Sequence, residues 1–288
     1  LDSSMLWNTY CLVRISLIYR GRAVPIVWQV FEHGSATIAY QDYQALLDQA
    51  AQLLFPFHCK VIFLADRGFA DTTLMDHLIE LDWRFRIRIK ENFYVYRPGK
   101  RGRQVKNIRL AAGHTQFWHH VAITHERFGN LHLAVGRTLQ SKERWVVISD
   151  EPTSFETFDE YGLRFDIEEN FLDDKSNGFQ LESSQIRSAK ALERLCFVLA
   201  VATLYLIAQG THIVHQGKRR FVDAHWFRGS SYLKIGWAWV KRAVSRGENL
   251  QPSLVLSAEP DPEPAKASRK QHQKRSQPRF LLDVPKAA

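Results

Sequence analysis

Apolar and β-branched residues dominate 10–19 (YCLVRISLIY) and 23–31 (AVPIVWQVF), and the Arg-Gly-Arg between them predicts a tight hairpin. Residues 40–54 switch to helical spacing, with Tyr43, Leu46, Leu47, Ala50 and Leu54 on one side. A continuous apolar run, KVIFLA at 60–65, reads as a strand inside a sheet and ends at Asp66 in Asp-Arg-Gly-Phe. A helix follows over 71–81. Then WRFRIRIK at 83–90 alternates strictly, with Trp83, Phe85, Ile87 and Ile89 on one face and Arg84, Arg86, Arg88 and Lys90 on the other.

From 91 to about 150 the chain becomes turn-rich and basic, with short strands such as HLAVGRTL and RWVVISD. This predicts a β-rich insertion over 91–150 within a core formed by 1–90 and 151–215. Residues 155–209 read as helical. Their apolar run of 14 residues, Leu195 to Ala208, is shorter than the roughly 20 a membrane span needs, so it reads as a buried core helix. A C-terminal helical segment is expected over 216–256, with a last helix over 230–246. The Pro-, Lys- and Ser-rich tail over 257–288 is expected to be disordered. Strands alternating with helices predict an α/β fold, and the early hairpin predicts that its sheet is mixed.

Composition sharpens this picture. The 288 residues carry a net charge of +9, which favours a polyanionic partner such as nucleic acid. Cys11, Cys59 and Cys196 stand far apart with no Cys-x-x-Cys pair, which argues against a zinc ribbon or a disulfide frame and fits a reducing cytoplasm. No signal peptide is read at the start. The opening Leu1-Asp2 reads as the edge of a longer protein.

One stretch concentrates chemistry. In YGLRFDIEENFLDDK, Tyr161, Arg164, Glu168 and Lys175 fall within about 60° of arc on a single helix, since each residue turns about 100°. Leu163, Ile167 and Phe171 form the adjoining apolar stripe that would dock it. Spacing alone fits either a solvated face with helical ion pairs or the rim of a cleft. Asp173, Asp174 and Glu169 turn away from Glu168 on the wheel and read as solvated.

The spacing Tyr-x2-Arg-x3-Glu-x6-Lys resembles the YREK signature of the insertion-sequence DDE transposases. LADRGF at 64–69 resembles that family's second catalytic Asp segment, and LDSSMLWN at the start resembles the first. HWFRGSSYLKIGWAW at 225–239 resembles the closing helical region of one branch, so the resemblance covers residues 1 to 246. It implies a ribonuclease-H-like core with the β insertion between the second Asp and the Glu. Asp2, Asp66 and Glu168 would be the catalytic residues, holding two Mg²⁺, or Mn²⁺, by oxygen ligation. Tyr161, Arg164 and Lys175 would contact DNA phosphates near the scissile end.

The reaction implied is cleavage and strand transfer at the ends of an insertion sequence, by a homodimer on paired terminal repeats, in the bacterial cytoplasm at the nucleoid. The substrate is double-stranded DNA, end and target, with no membrane involved. The alternative is a catalytically inactive remnant that only binds DNA. Within the insertion, Arg97, Lys100, Arg101 and Arg103, with Lys106 and Arg109, put six cations in 13 residues and favour phosphate contacts. The strand at 84–90 fits either such contacts or a charged sheet edge. His114, His119, His120 and His125 read as structural or surface histidines. Trp237 and Trp239 read as core. Lys218, Arg219 and Arg220 read as solvated, or as a nonspecific addition to DNA affinity.

Overall fold

The computed structural model describes residues 1–139, 143–265 and Phe280. They form two compact units. The first contains Leu1–Ser3, Ser35–Phe165 and Phe280, and the second contains Ser4–Gly34 and the described residues from Asp166 to Ala265.

The first unit is built on a seven-stranded sheet. Its strands are β4 (Ile62–Ala65), β5 (Arg84–Arg88), β6 (Tyr94–Tyr96), β7 (Arg103–Gln104), β8 (Thr115–Ile123), β9 (Phe128–Arg137) and β10 (Arg144–Ser149), in the order β4-β5-β10-β9-β8-β6-β7. β4 and β5 run parallel, joined through helix α2 (Thr72–Glu80). Asp71 starts that helix by accepting from the Thr73 amide at 2.7 Å. β10 then pairs antiparallel with β5, which makes the sheet mixed. Helix α1 (Tyr40–Leu54) buries Tyr40, Tyr43, Leu46, Leu47 and Ala50, the face its spacing predicts. The β-rich insertion continues the sheet that β4 and β5 begin. Helices cover a mixed sheet, an α/β architecture compatible with a ribonuclease-H-like transposase fold.

The second unit contains the hairpin β2 (Tyr10–Tyr19) and β3 (Arg22–Glu32). Arg20 and Gly21 both take positive φ, 49° and 78°, the geometry of a two-residue turn that follows strand twist. β1 (Asp2–Leu6) is the third strand of this ladder. The expectation that the hairpin supplies the mixed sheet is therefore corrected. The mixed character comes from β5, which has a parallel neighbour on one side and β10 on the other.

Three helices complete the second unit: α4 (Phe165–Leu172, from Asp166), α5 (Ala189–His215) and α6 (Tyr232–Arg246). α5 is long and apolar enough to cross a membrane by length and composition. Its buried residues instead enter two apolar clusters, one with Leu12, Val30, Ile167 and Phe171, the other with Tyr232, Ile235 and Trp239 of α6.

Ser257–Ala265 are the part of the C-terminal tail that is described, with Phe280. There Asp261 meets Arg228 at 3.0 Å, and Glu263 meets Arg219 at 2.8 Å. The rest of the expected disordered tail lies outside the described residues.

Candidate active site

In the first unit the Leu1 nitrogen donates to the Leu64 carbonyl at 2.8 Å. That bond sets Leu1 beside β4, and Asp2 lies within electrostatic reach of Asp66. Asp66 follows the last residue of β4 and caps a one-turn helix, with Oδ1 accepting from the Gly68 amide at 2.7 Å. Asp2 is buried and bonded on both oxygens. Oδ1 accepts from the Ser3 amide at 2.9 Å, and Oδ2 accepts from Arg164 at 2.9 Å.

Burial is the main force that raises the Asp2 carboxyl above its ordinary 3.8. Arg164 and the Ser3 amide oppose the rise, and the charge of Asp66 adds to it. Two carboxylates thus sit within electrostatic reach, one of them poorly solvated. A hard divalent cation relieves that arrangement, and carboxylate oxygens are the donors it takes. The residues present fit such an ion on this side. Within neither unit do three His, Cys, Asp or Glu side chains gather around one point among the described residues.

The stretch 161–175 is not one helix. α3 (Phe155–Gly162) ends, Leu163 and Arg164 turn, α4 runs to Leu172, and a π turn takes Asp173–Asn177. The single-helix stripe is therefore corrected. Leu163, expected to dock, is 50% exposed, because it lies in the turn.

Tyr161 is fully buried against Trp145, whose ring lies at 5.4 Å. Burial pushes its phenol up, against the pull of Arg164 and Arg88. The Arg164 guanidinium lies over the Phe165 ring at 4.8 Å while it holds Asp2.

In the second unit Glu168 projects from the exposed side of α4. Lys175 Nζ, in the π turn, donates to the Met5 carbonyl at 2.5 Å and lies 3.7 Å from Glu182. Asp173 and Asp174, expected to be solvated, are both buried, 2% and 1% exposed. Two arginines draw them in. Arg22 meets Asp173 at 3.0 Å, and Arg14 meets Asp174 at 2.6 Å. Arg14 was legible in the sequence as the lone cation inside the apolar YCLVRISLIY.

The arginines of β5 face carboxylates. Arg86 pairs with Glu160 at 2.6 Å and Glu151 at 2.8 Å, Arg84 with Asp150 at 3.2 Å, and Arg88 with Glu143 at 2.9 Å. Neither reading of that strand holds, because β5 is interior and its charges are neutralised. Arg219 is likewise buried, on Asp223 and Glu263.

The insertion loop differs. Lys100, Arg101, Arg103, Lys106 and Arg109 are exposed, and Arg97 stacks on Trp118 at 4.5 Å. Arg97, Lys100, Arg101 and Arg127 line an open hollow of about 550 Å³ that has no acidic side chain in its wall.

His119 and His132 share a ring-nitrogen contact of 3.1 Å, and His120 contacts Asn130 at 3.0 Å, so these histidines serve each other and the sheet. Trp239 is buried, and Trp237 packs on Phe179 at 5.1 Å.

The family model described as a transposase DDE domain matches residues 9–205, more than half of the chain. The match includes Asp66 and the whole of 161–175 and begins after Asp2. No curated protein matches the chain.

Proposed function

The chain belongs to the transposase DDE domain family, and we propose that it cuts and rejoins DNA at the ends of an insertion sequence. Asp2, Asp66 and Glu168 hold two Mg²⁺, or Mn²⁺, in this reading. Bound there, the two ions stabilise the attacking and leaving oxygens of an in-line displacement at phosphorus. The observation that carries the reading is the Asp2–Asp66 pair, brought together by the Leu1–Leu64 bond and electrostatically coupled.

The chain's own residues do the rest. Asp2, Asp66 and Glu168 supply oxygen donors. Arg164 eases the ionisation of Asp2 against the cost of its burial and aims its carboxylate. Tyr161 anchors the turn that carries Arg164. It and Arg164 reach DNA phosphate only where that turn is approached closely. Lys175 is a point charge for phosphate near the scissile end. Arg97, Lys100, Arg101 and Arg103 contact the DNA backbone, positioning it without reading its sequence. The working form is a homodimer on paired terminal repeats, acting at the bacterial nucleoid in the cytoplasm.

A second reading, a DNA-binding remnant without cleavage, draws on the Arg164–Asp2 ion pair, which occupies a carboxylate oxygen that a metal ion would use. The test is Mg²⁺-dependent cleavage of duplexes carrying the DNA that flanks its own coding sequence. Wild type should cut. Asp66→Ala and Glu168→Gln should bind with unchanged affinity and not cut. Binding by all three with no cutting would favour the remnant.

A further inference from the structure

The candidate metal ligand Glu168 rides on a helix of eight residues, α4, about 12 Å long. Ile167 and Phe171 give it an apolar footing in the core of the second unit. Apolar contact is non-directional, so it constrains the rotation of a two-turn helix less than a hydrogen bond does. A rotation by one residue, about 100°, would carry Glu168 well away from its direction. Something directional has to fix the register.

Across the helix from Glu168, three polar side chains are buried: Asn170, Asp173 and Asp174. Two strands reach them. From β2, Arg14 Nη1 donates to Asn170 Oδ1 at 2.7 Å and meets Asp174 Oδ2 at 2.6 Å. These two acceptors are one helical turn apart. The Arg14 guanidinium also lies over the Phe171 ring at 5.0 Å. From β3, Arg22 Nε donates to Asp173 at 3.0 Å. The side chain of Arg14 is fully buried and that of Asp174 nearly so.

A buried ion pair is a weak source of stability and a good source of register, because its geometry admits few alternatives. Asn170 adds a second directional bond, so neither rotation nor slippage of α4 preserves the set. The segment then leaves α-helical geometry in the π turn at Asp173–Asn177, where Arg14 and Arg22 hold two of the five residues.

We propose that Arg14, with Asn170 and Asp174, is a positioning network that sets the rotation of α4 and so aims Glu168 at the divalent cation. The proposal rests on the reading of Glu168 as a metal ligand. Arg14 touches neither metal nor DNA; it acts through the helix. Arg22 and Asp173 support the same register from the neighbouring strand.

The test separates aim from stability. Arg14→Met alone leaves Asp174 buried and unpaired, so this variant should unfold more easily. The double variant Arg14→Met with Asp174→Leu replaces the pair by apolar groups of similar size, and its melting temperature should return towards wild type. Mn²⁺ affinity is read by electron paramagnetic resonance of the free ion, with no turnover required. The folded double variant should bind Mn²⁺ at least tenfold more weakly than wild type, with DNA affinity unchanged. Wild-type Mn²⁺ affinity in the double variant would overturn the proposal and leave Arg14 a packing residue.

Glu168→Gln runs beside it. Loss of Mn²⁺ binding in Glu168→Gln with normal binding in the double variant sinks the positioning role alone. Normal binding in Glu168→Gln sinks the ligand reading and the positioning role together.

Discussion

Arg164 has a partner that residue type and spacing do not announce. Its place in the Tyr-Arg-Glu-Lys pattern suggests a phosphate contact, yet its guanidinium is buried on Asp2. Removing one partner of a buried pair leaves a charge without compensation. Arg164→Ala should therefore destabilise the first unit by about 3 kcal/mol at neutral pH, measured by denaturant unfolding. The deficit should shrink in acid. The folded Asp2 carboxyl already titrates above its ordinary value, so its protonated form is the one folding favours. Its stabilising contribution is full below 3.8 and is lost as pH rises through the raised value. Without Arg164 that value rises further, so the variant and wild type should converge below pH 4 or so. A divalent cation needs the ionised carboxylate, so Mg²⁺ affinity should improve as pH rises through the Asp2 titration. A flat profile from about pH 4 upward would remove Asp2 from the metal set. Asp66 was legible because it ends an apolar strand. Asp174 was not, because the arginine that buries it comes from a strand 160 positions earlier, and a helical wheel contains no partner.

Among the elements, periodicity found α1, α2, β5 and the β2–β3 hairpin to within a few residues, because each carries its own apolar face. It failed over 155–177, where three short helical pieces read as one. Gly162, the last residue of α3, is the one local sign of a break, and the turn is held by the burial of Tyr161 on one side and the Arg164–Asp2 bond on the other. Tertiary contacts of that kind override helical propensity. The crossing of α5 and α6 is a further case. A side chain at Gly210 would run into the Tyr232 carbonyl, and one at Gly236 into the Leu206 carbonyl. Backbone meets backbone there, so no rotamer change makes room. Gly236→Ala should cost about 3 kcal/mol, the upper part of the range for overpacking. An equal melting temperature in the variant would show that the helices do not approach so closely.

For the whole molecule, the net charge of +9 understates how the cations divide. Arg14, Arg22, Arg86, Arg88, Arg164, Arg219 and Arg228 are spent on carboxylates within their own units. Arg97, Lys100 and Arg101 line a hollow with no acidic side chain in its wall, which leaves them for polyanions. Changing Arg97, Lys100, Arg101 and Arg103 to Gln should therefore flatten the salt dependence of DNA binding. The slope of log K against log salt should fall by about 3 to 4, if each phosphate contact releases about 0.9 counterion. The same change on Arg84 and Arg88 should leave the slope unaltered. Composition made a polyanionic partner legible, but which arginines serve it depends on pairings that only the folded chain reveals.

We propose that Asp2, Asp66 and Glu168 serve one divalent-cation site. This is tested most directly by loading the protein with Fe²⁺ in place of Mg²⁺ and adding ascorbate and peroxide. Hydroxyl radicals made at a bound iron cut the backbone beside its ligands. Fragments should end near residues 66 and 168, be suppressed together by excess Mg²⁺ and both be lost in Glu168→Gln. Cuts near only one of the two, or cuts that Mg²⁺ does not suppress, would contradict it.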